Sequence, residues 1–259
     1  MVRNLINGLL RITDKRRSER TNFSLGLSLA FIAGAINAGG FMVVHQYTSH
    51  MTGLMSMVAD SVALNKLGGA AIILFYILCF ICGAMTTAIL VMWGRRRSLH
   101  SQYALPLLIE AALLLSFGLI SDRLIAINPQ IYASLVISLL CFLMGLQNAV
   151  ITKVSATSIR TTHITGMTTD IGIELGKILY LRNKEVGFVQ VNRKKLFLHI
   201  SIVSAFLGGG IVGAFAFMLF GGLAALPLAL YLIVISLPSI IRDLAVFANM
   251  IRHHHRFKR

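Results

Sequence analysis

Six stretches of about 18 to 25 mostly apolar residues run through this chain, at roughly 24–44, 69–93, 104–121, 131–151, 197–220 and 223–241. Each is long enough, as a helix, to cross the hydrocarbon of a bilayer. In lipid every backbone N–H and C=O must be satisfied inside the protein, so the runs are expected as helices. Charged residues make up 13% of the chain, against about a quarter in a soluble domain. The net charge of +15 could suggest a nucleic-acid partner, but most Lys and Arg sit between the apolar runs. There they face an anionic leaflet, and nucleic acid is excluded as a partner. The partner implied is the lipid bilayer.

Two further segments, 50–64 and 163–180, are short or polar and fit a full crossing poorly. The first carries Asp60; the second carries Thr165, Thr168, Thr169, Asp170, Glu174 and Lys177. If neither crosses, all Lys and Arg except Lys66 and Arg123 share one side. If both cross, Arg95, Arg96, Arg97, Lys153 and Arg160 move to the other side. The excess of Lys and Arg on cytoplasmic loops favours the six-crossing arrangement, with both termini in the cytoplasm.

Short phrases recur in the two halves. Asn37-Ala38, His50-Met51-Thr52-Gly53 and Ala104-Leu105-Pro106-Leu107 return as Asn148-Ala149, His163-Ile164-Thr165-Gly166 and Ala225-Leu226-Pro227-Leu228, shifted by 111, 113 and 121 positions. The expected fold is therefore all-α: a polytopic transmembrane bundle of about six spanning helices plus two short or broken helices, in two internal repeats. Three crossings per repeat make the second copy inverted, an architecture common among secondary transporters. The expected organisation is a basic cytoplasmic tail (1–22), a first membrane repeat (23–123), a second (124–245) and a basic cytoplasmic tail (246–259).

The His-x-Thr-Gly phrases follow short polar stretches and are expected to open new helices. Ser49 and Thr162 are candidate N-caps, because a side-chain oxygen can accept the free amide protons of a first turn. A helix start at membrane depth favours water, a protein group or an anionic ligand. Asn37, His50, Thr52, Asn148, His163 and Thr165 are the candidate substrate-binding residues. Helical spacing places Asp60 on the His50 face and Asp170 and Glu174 on the His163 face. Ionisable groups inside a membrane usually face a cavity or a partner. Asp60, Glu110, Asp170 and Glu174 are thus candidates for coupling or substrate charge, with Lys177 or Arg160 as structural counterions in the second half.

Other features read as structural. Cys79 and Cys82 lie inside an apolar run and are expected as buried free thiols; Cys141 is isolated. Gly208, Gly209, Gly210 and Gly213 fit a helix contact. The methionines at 51, 55 and 57 fit a flexible apolar face. Residues 5–12 have near-helical apolar spacing, which suits either a surface helix or a solvated tail. The first apolar run is too long for a cleaved signal. No metal, cofactor or catalytic motif stands out, and an enzyme is not expected.

The chain resembles the YoaK family of bacterial inner-membrane proteins, the domain of unknown function 1275, over about residues 24 to 241. The resemblance rests on Gly34-Ala-Ile-Asn37-Ala-Gly-Gly-Phe41, Gln46-Tyr-Thr-Ser-His50-Met-Thr-Gly53, Gly145-Leu-Gln-Asn148-Ala149, Arg160-Thr-Thr-His163-Ile-Thr-Gly166, Thr169-Asp170 and Glu174-Leu-Gly176. It implies a multi-pass protein of the bacterial cytoplasmic membrane and no defined biochemical activity. The reading carried forward is a secondary transporter of a small solute or ion, with a central site at the two His-x-Thr-Gly breaks. The alternatives are a membrane enzyme acting on a lipid or isoprenoid, and a non-transporting sensor or assembly component. A homo-oligomer is compatible with each.

Overall fold

The computed structural model describes residues 19–127, 129–154, 161–181 and 191–256, and all of its regular elements are helical. The elements are α1 (Glu19–Val44), α2 (Met51–Ala63), α3 (Leu67–Arg96), α4 (Ala104–Ile127), α5 (Pro129–Val154), α6 (Ile164–Leu181), α7 (Arg193–Phe220), a 3-10 turn (Gly221–Ala224) and α8 (Ala225–Arg256). Both Ala-Leu-Pro phrases open a helix, α4 and α8. Proline is favoured in a first turn, where its missing N–H costs nothing. The expected surface segment at residues 5–12 and the polar residues Ser155, Thr157, Ser158 and Arg160 lie outside the described residues. Helix α8 continues to Arg256, through most of the segment expected as a tail.

Five stretches of the described residues are long and apolar enough to cross a membrane: Thr21–Val44, Leu67–Arg96, Ala104–Ser121, Ile131–Val154 and Arg193–Phe247. The last contains two helices, α7 and α8, separated by the 3-10 turn at Gly221, whose φ of 55° ends α7. The chain is an integral, multi-pass membrane protein. Helix α3 shows this best, because Phe75, Leu78, Met85, Ile89 and Met92 are all exposed along it. An outward apolar face of that length suits lipid, not water.

Between helices in lipid, close packing matters more than apolar burial. Here it is arranged by four of the five Phe-x-x-Gly phrases in the chain: Phe31 to Gly34, Phe80 to Gly83, Phe142 to Gly145 and Phe206 to Gly209. A Cβ on Gly34 would collide with the Phe206 carbonyl oxygen, and one on Gly209 with that of Phe31. A Cβ on Gly83 would collide with the Phe142 carbonyl oxygen, and one on Gly145 with that of Phe80. Helices α1 and α7 thus make backbone contact, and α3 and α5 repeat the same contact. Thr87 Oγ1 adds a bond to the Leu146 carbonyl at 2.9 Å across the second pair. The strongest pairings therefore join one half of the sequence to the other.

The contacts also fix direction. Gly34 meets Phe206 and Gly39 meets Phe217, so α1 and α7 run parallel. Phe80 meets Gly145, and Tyr76 and Ile77 share a cluster with Ile137 and Cys141, so α3 and α5 run parallel too. Helix α4 is antiparallel to α5, with Ser121 at 2.6 Å from Tyr132 near one end and Gln147 at 2.9 Å from Glu110 further along. It is also antiparallel to α8: Gly118 meets Leu226, while His100, just before α4, bonds Asp243. After the 3-10 turn the chain doubles back, bringing the Tyr231 hydroxyl to 2.7 Å from Ser28 on α1. Helices α1, α4 and α7 consequently run one way, and α3, α5 and α8 the other.

Helices α2 and α6 are shorter insertions, of 13 and 18 residues. The first residues of α2 lie beside Phe80 and Ala84, midway along α3, while Ser61 near its end lies by Gly69 at the start of α3. At 1.5 Å per residue its 13 residues rise about 20 Å. Helix α6 likewise starts beside Asn148, in the C-terminal half of α5, and reaches the first turn of α7.

Candidate functional site

The two His-x-Thr-Gly phrases meet at one cavity. It has a volume of about 680 Å³ and is bounded by the starts of α2 and α6 and by the middle of α3 and the C-terminal half of α5. Each half contributes a matching set: Ser49 with Thr162, His50 with His163, Thr52 with Thr165. Asn148 also lines it, together with Phe80, Ala84, Ala88, Gly145 and Thr152. Asn37 stands one layer back, reaching the cavity through Ser49.

The helices begin one residue later than the capping residues read from sequence. His50 occupies the N-cap position of α2 and makes no side-chain cap bond, and its carbonyl accepts the Leu54 amide at 3.1 Å. The His163 carbonyl accepts the Met167 amide at 3.1 Å in the same way. Ser49 and Thr162 are instead held by asparagines from the preceding long helix. The Ser49 amide donates to Asn37 Oδ1 at 3.1 Å. Asn148 donates to Thr162 Oγ1 at 2.6 Å and accepts from the Thr161 hydroxyl at 3.1 Å and the Thr162 amide at 3.3 Å. With the asparagines fixing the returning loops, the first-turn amides are not taken by the expected caps.

The spacing from His to Gly now has a physical reason. A Cβ on Gly53 would collide with the His50 ring, and one on Gly166 with the His163 ring. Each imidazole folds back over its own first turn, into space that glycine leaves open. Both histidines remain exposed to the cavity side.

Asn148→Ala is expected to cost about 1–3 kcal/mol, because it strands buried partners on the α5–α6 loop. Asn37→Ala removes one bond and is expected to cost less. Thermal unfolding midpoints in detergent measure both.

None of the four acids lines the cavity. Asp170 and Glu174 lie several turns out along α6, where their stripe faces the basic first turn of α7. Asp170 pairs with Lys195 at 3.1 Å and lies 3.6 Å from His199 Nδ1. Glu174 accepts from Lys177 Nζ at 2.7 Å and from the Asn192 amide at 2.8 Å. The Lys177 hydrogen bond, aided by the Asn192 amide, holds the Glu174 carboxyl below its ordinary range. A lowered carboxylate contributes stability above its unfolded pKa, which is lost as the pH falls through the folded value. Asp60 is exposed near the end of α2, away from the cavity, and Glu110 is buried on α4. Helical phase alone placed Asp60, Asp170 and Glu174 on the histidine faces, but rise along the axis separates them from the histidines.

Lys153 also lines the cavity, a residue that sequence reading counted only among the loop charges. Its position on the α5 face that carries Asn148 and Ala149, five and four residues earlier, is the signal that could have found it. The lining thus holds one ammonium, two imidazoles and several hydroxyls, and no described carboxylate. Among the described residues, no cluster of three His, Cys, Asp or Glu could hold a metal ion. The cysteines are free, but Cys82, expected buried, is exposed on α3.

Residues 25–237 match the family described as "Protein of unknown function (DUF1275)". No curated protein and no solved structure matches the chain.

Proposed function

The chain belongs to the DUF1275 family, and from that premise we propose that it is a secondary transporter for a small anion. The observation that carries this reading is the convergence of two helix starts, one from each half, on a single cavity midway along the bundle. Its volume of about 680 Å³ lies within the range of small-molecule sites, roughly 300–1,000 Å³. Lys153, His50 and His163 supply positive or protonatable character without a described carboxylate beside them, and the amide ends of α2 and α6 add to it. Thr52, Thr165 and Asn148 would orient the solute, with Asn37 supporting the loop. With the basic segments inside, the protein sits in a bacterial cytoplasmic membrane with both termini cytoplasmic.

The opposite helix directions of the two halves support reading them as inverted repeats, and the cavity is asymmetric between them. It uses Phe80, Ala84 and Ala88 of α3, whose counterparts on α7 are Phe206, Gly210 and Ala214. Those counterparts do not line it, and Gly210 instead packs by Gly34. Where α5 has Thr152, α1 has Phe41, stacked on Tyr47 with ring centroids 4.5 Å apart. Exchange of the two arrangements would close the present cavity and open one against α1 and α7, giving alternating access.

Proteoliposomes loaded with a panel of small carboxylates and inorganic anions test the proposal. Saturable anion flux is expected, reduced in Lys153→Gln. Flux no greater than in protein-free vesicles for every anion would overturn it. A cysteine at Ala214 is expected to react with a membrane-impermeant thiol reagent from the side opposite to one at Ala88.

A further inference from the structure

Glu110 is wholly buried on α4, among apolar side chains from its own helix and its neighbours. Its Oε1 accepts a hydrogen bond from Gln147 Nε2 of α5 at 2.9 Å. The remaining oxygens of the two side chains, Glu110 Oε2 and Gln147 Oε1, are both buried and both lack a partner. Two acceptors left over on adjoining groups form an imbalance that one added donor would cure.

A water could donate to both oxygens but would leave the carboxylate charge buried and uncompensated; three other donors could be considered. A basic side chain is the first, but the described ones on the packed elements are engaged or placed elsewhere. Arg95 of α3 donates to the Tyr103 hydroxyl at 3.0 Å, Lys153 lines the cavity, Arg96 and Arg97 are exposed at the end of α3, and Arg242 is exposed on α8. Asp243 of α8 is occupied by His100 and Ser101. A cation is the second, but hard cations take about six or more oxygens. Here the helical neighbours of the pair are Leu107, Leu114, Leu143 and Met144. A proton is the third, and it fits. An acid O–H donating to Gln147 Oε1 completes a two-bond ring with the amide N–H already in place. It also removes a buried charge, which would otherwise be costly.

We infer that Glu110 and Gln147 form a proton-binding site, in which the proton on Glu110 closes an acid–amide clasp between α4 and α5. Gln147 is followed by Asn148, whose side chain holds the loop at the cavity. Release of the proton opens the clasp beside a cavity-lining residue. The proton site stands on its own geometry; only its coupling to the cavity rests on the transport reading.

Infrared spectroscopy of the purified full chain, compared with Glu110→Gln, tests it. A protonated-carboxyl band is expected at neutral pH, sensitive to deuterium exchange, unchanged by sodium or potassium, and missing from Glu110→Gln. No Glu110-dependent band, or its loss on adding sodium, would overturn the inference. Glu110→Gln can keep an amide–amide clasp, so it is expected to fold and to lose the alkaline fall in melting temperature expected of the wild type. Gln147→Leu provides an independent reading: the Glu110 band is expected to shift when its partner is removed, and an unmoved band would contradict the clasp.

Discussion

Gly209→Leu is expected to leave no folded protein in detergent, while Gly208→Ala beside it leaves folding intact or improved. A Cβ on Gly209 would collide with the Phe31 carbonyl, which is backbone and cannot rotate aside, whereas a Cβ on Gly208 meets nothing within 4 Å. Overpacking a well-filled site costs typically about 1–3 kcal/mol, so even Gly209→Ala should lower the melting temperature. Leucine should force α1 and α7 apart along their whole contact. Gly208→Ala carries no such cost and gains up to about 1 kcal/mol of helix propensity. Because α3 and α5 repeat the contact, Gly145→Leu should fail equally. Size-exclusion profiles and melting curves of the four variants check the pattern. Equal behaviour of Gly208 and Gly209 would mean that the helix pair does not depend on backbone contact.

Thr165→Trp is expected to reduce anion flux to the level of protein-free vesicles while the protein still folds. Thr165 is exposed on the cavity side of the first turn of α6. Its carbonyl accepts the Thr169 hydroxyl at 3.0 Å, a bond that survives any side-chain change. An indole there takes up cavity space that a solute needs without disturbing a helix contact. Lys153→Glu should also lower flux, through charge rather than volume. Flux measured beside melting temperature separates blockage from unfolding. Unchanged flux in Thr165→Trp would remove the cavity from the transport path.

Much of this architecture is legible because the bilayer restricts what an apolar run can become. The long runs become helices, and both Ala-Leu-Pro phrases become helix starts. The His-x-Thr-Gly phrases could be recognised as helix openings because local chemistry, a turn with an imbalance of amide donors, sets them. Partner choice could not be read that way. Phe-x-x-Gly occurs five times, yet nothing in its repetition says that α1 takes α7 and α3 takes α5. Asp170 and Glu174 show the same limit. Their helical phase matched His163, and Lys177 could be read as a counterion one turn further along α6, but their other partners, Lys195 and Asn192, depend on where α7 begins. Lys153 was obscured for the opposite reason: beside a polar loop, a cavity lysine and a topology-setting lysine look alike.

The most direct measurement places cysteines at Thr52 and Thr165 in a chain whose Cys79, Cys82 and Cys141 are alanine, and treats it with a cleavable reagent that bridges two thiols. The account predicts that the bridge forms within one molecule, that anion flux stops, and that cleaving the reagent restores it. Failure of the two cysteines to bridge, or undiminished flux with the bridge in place, would contradict a shared cavity used for transport.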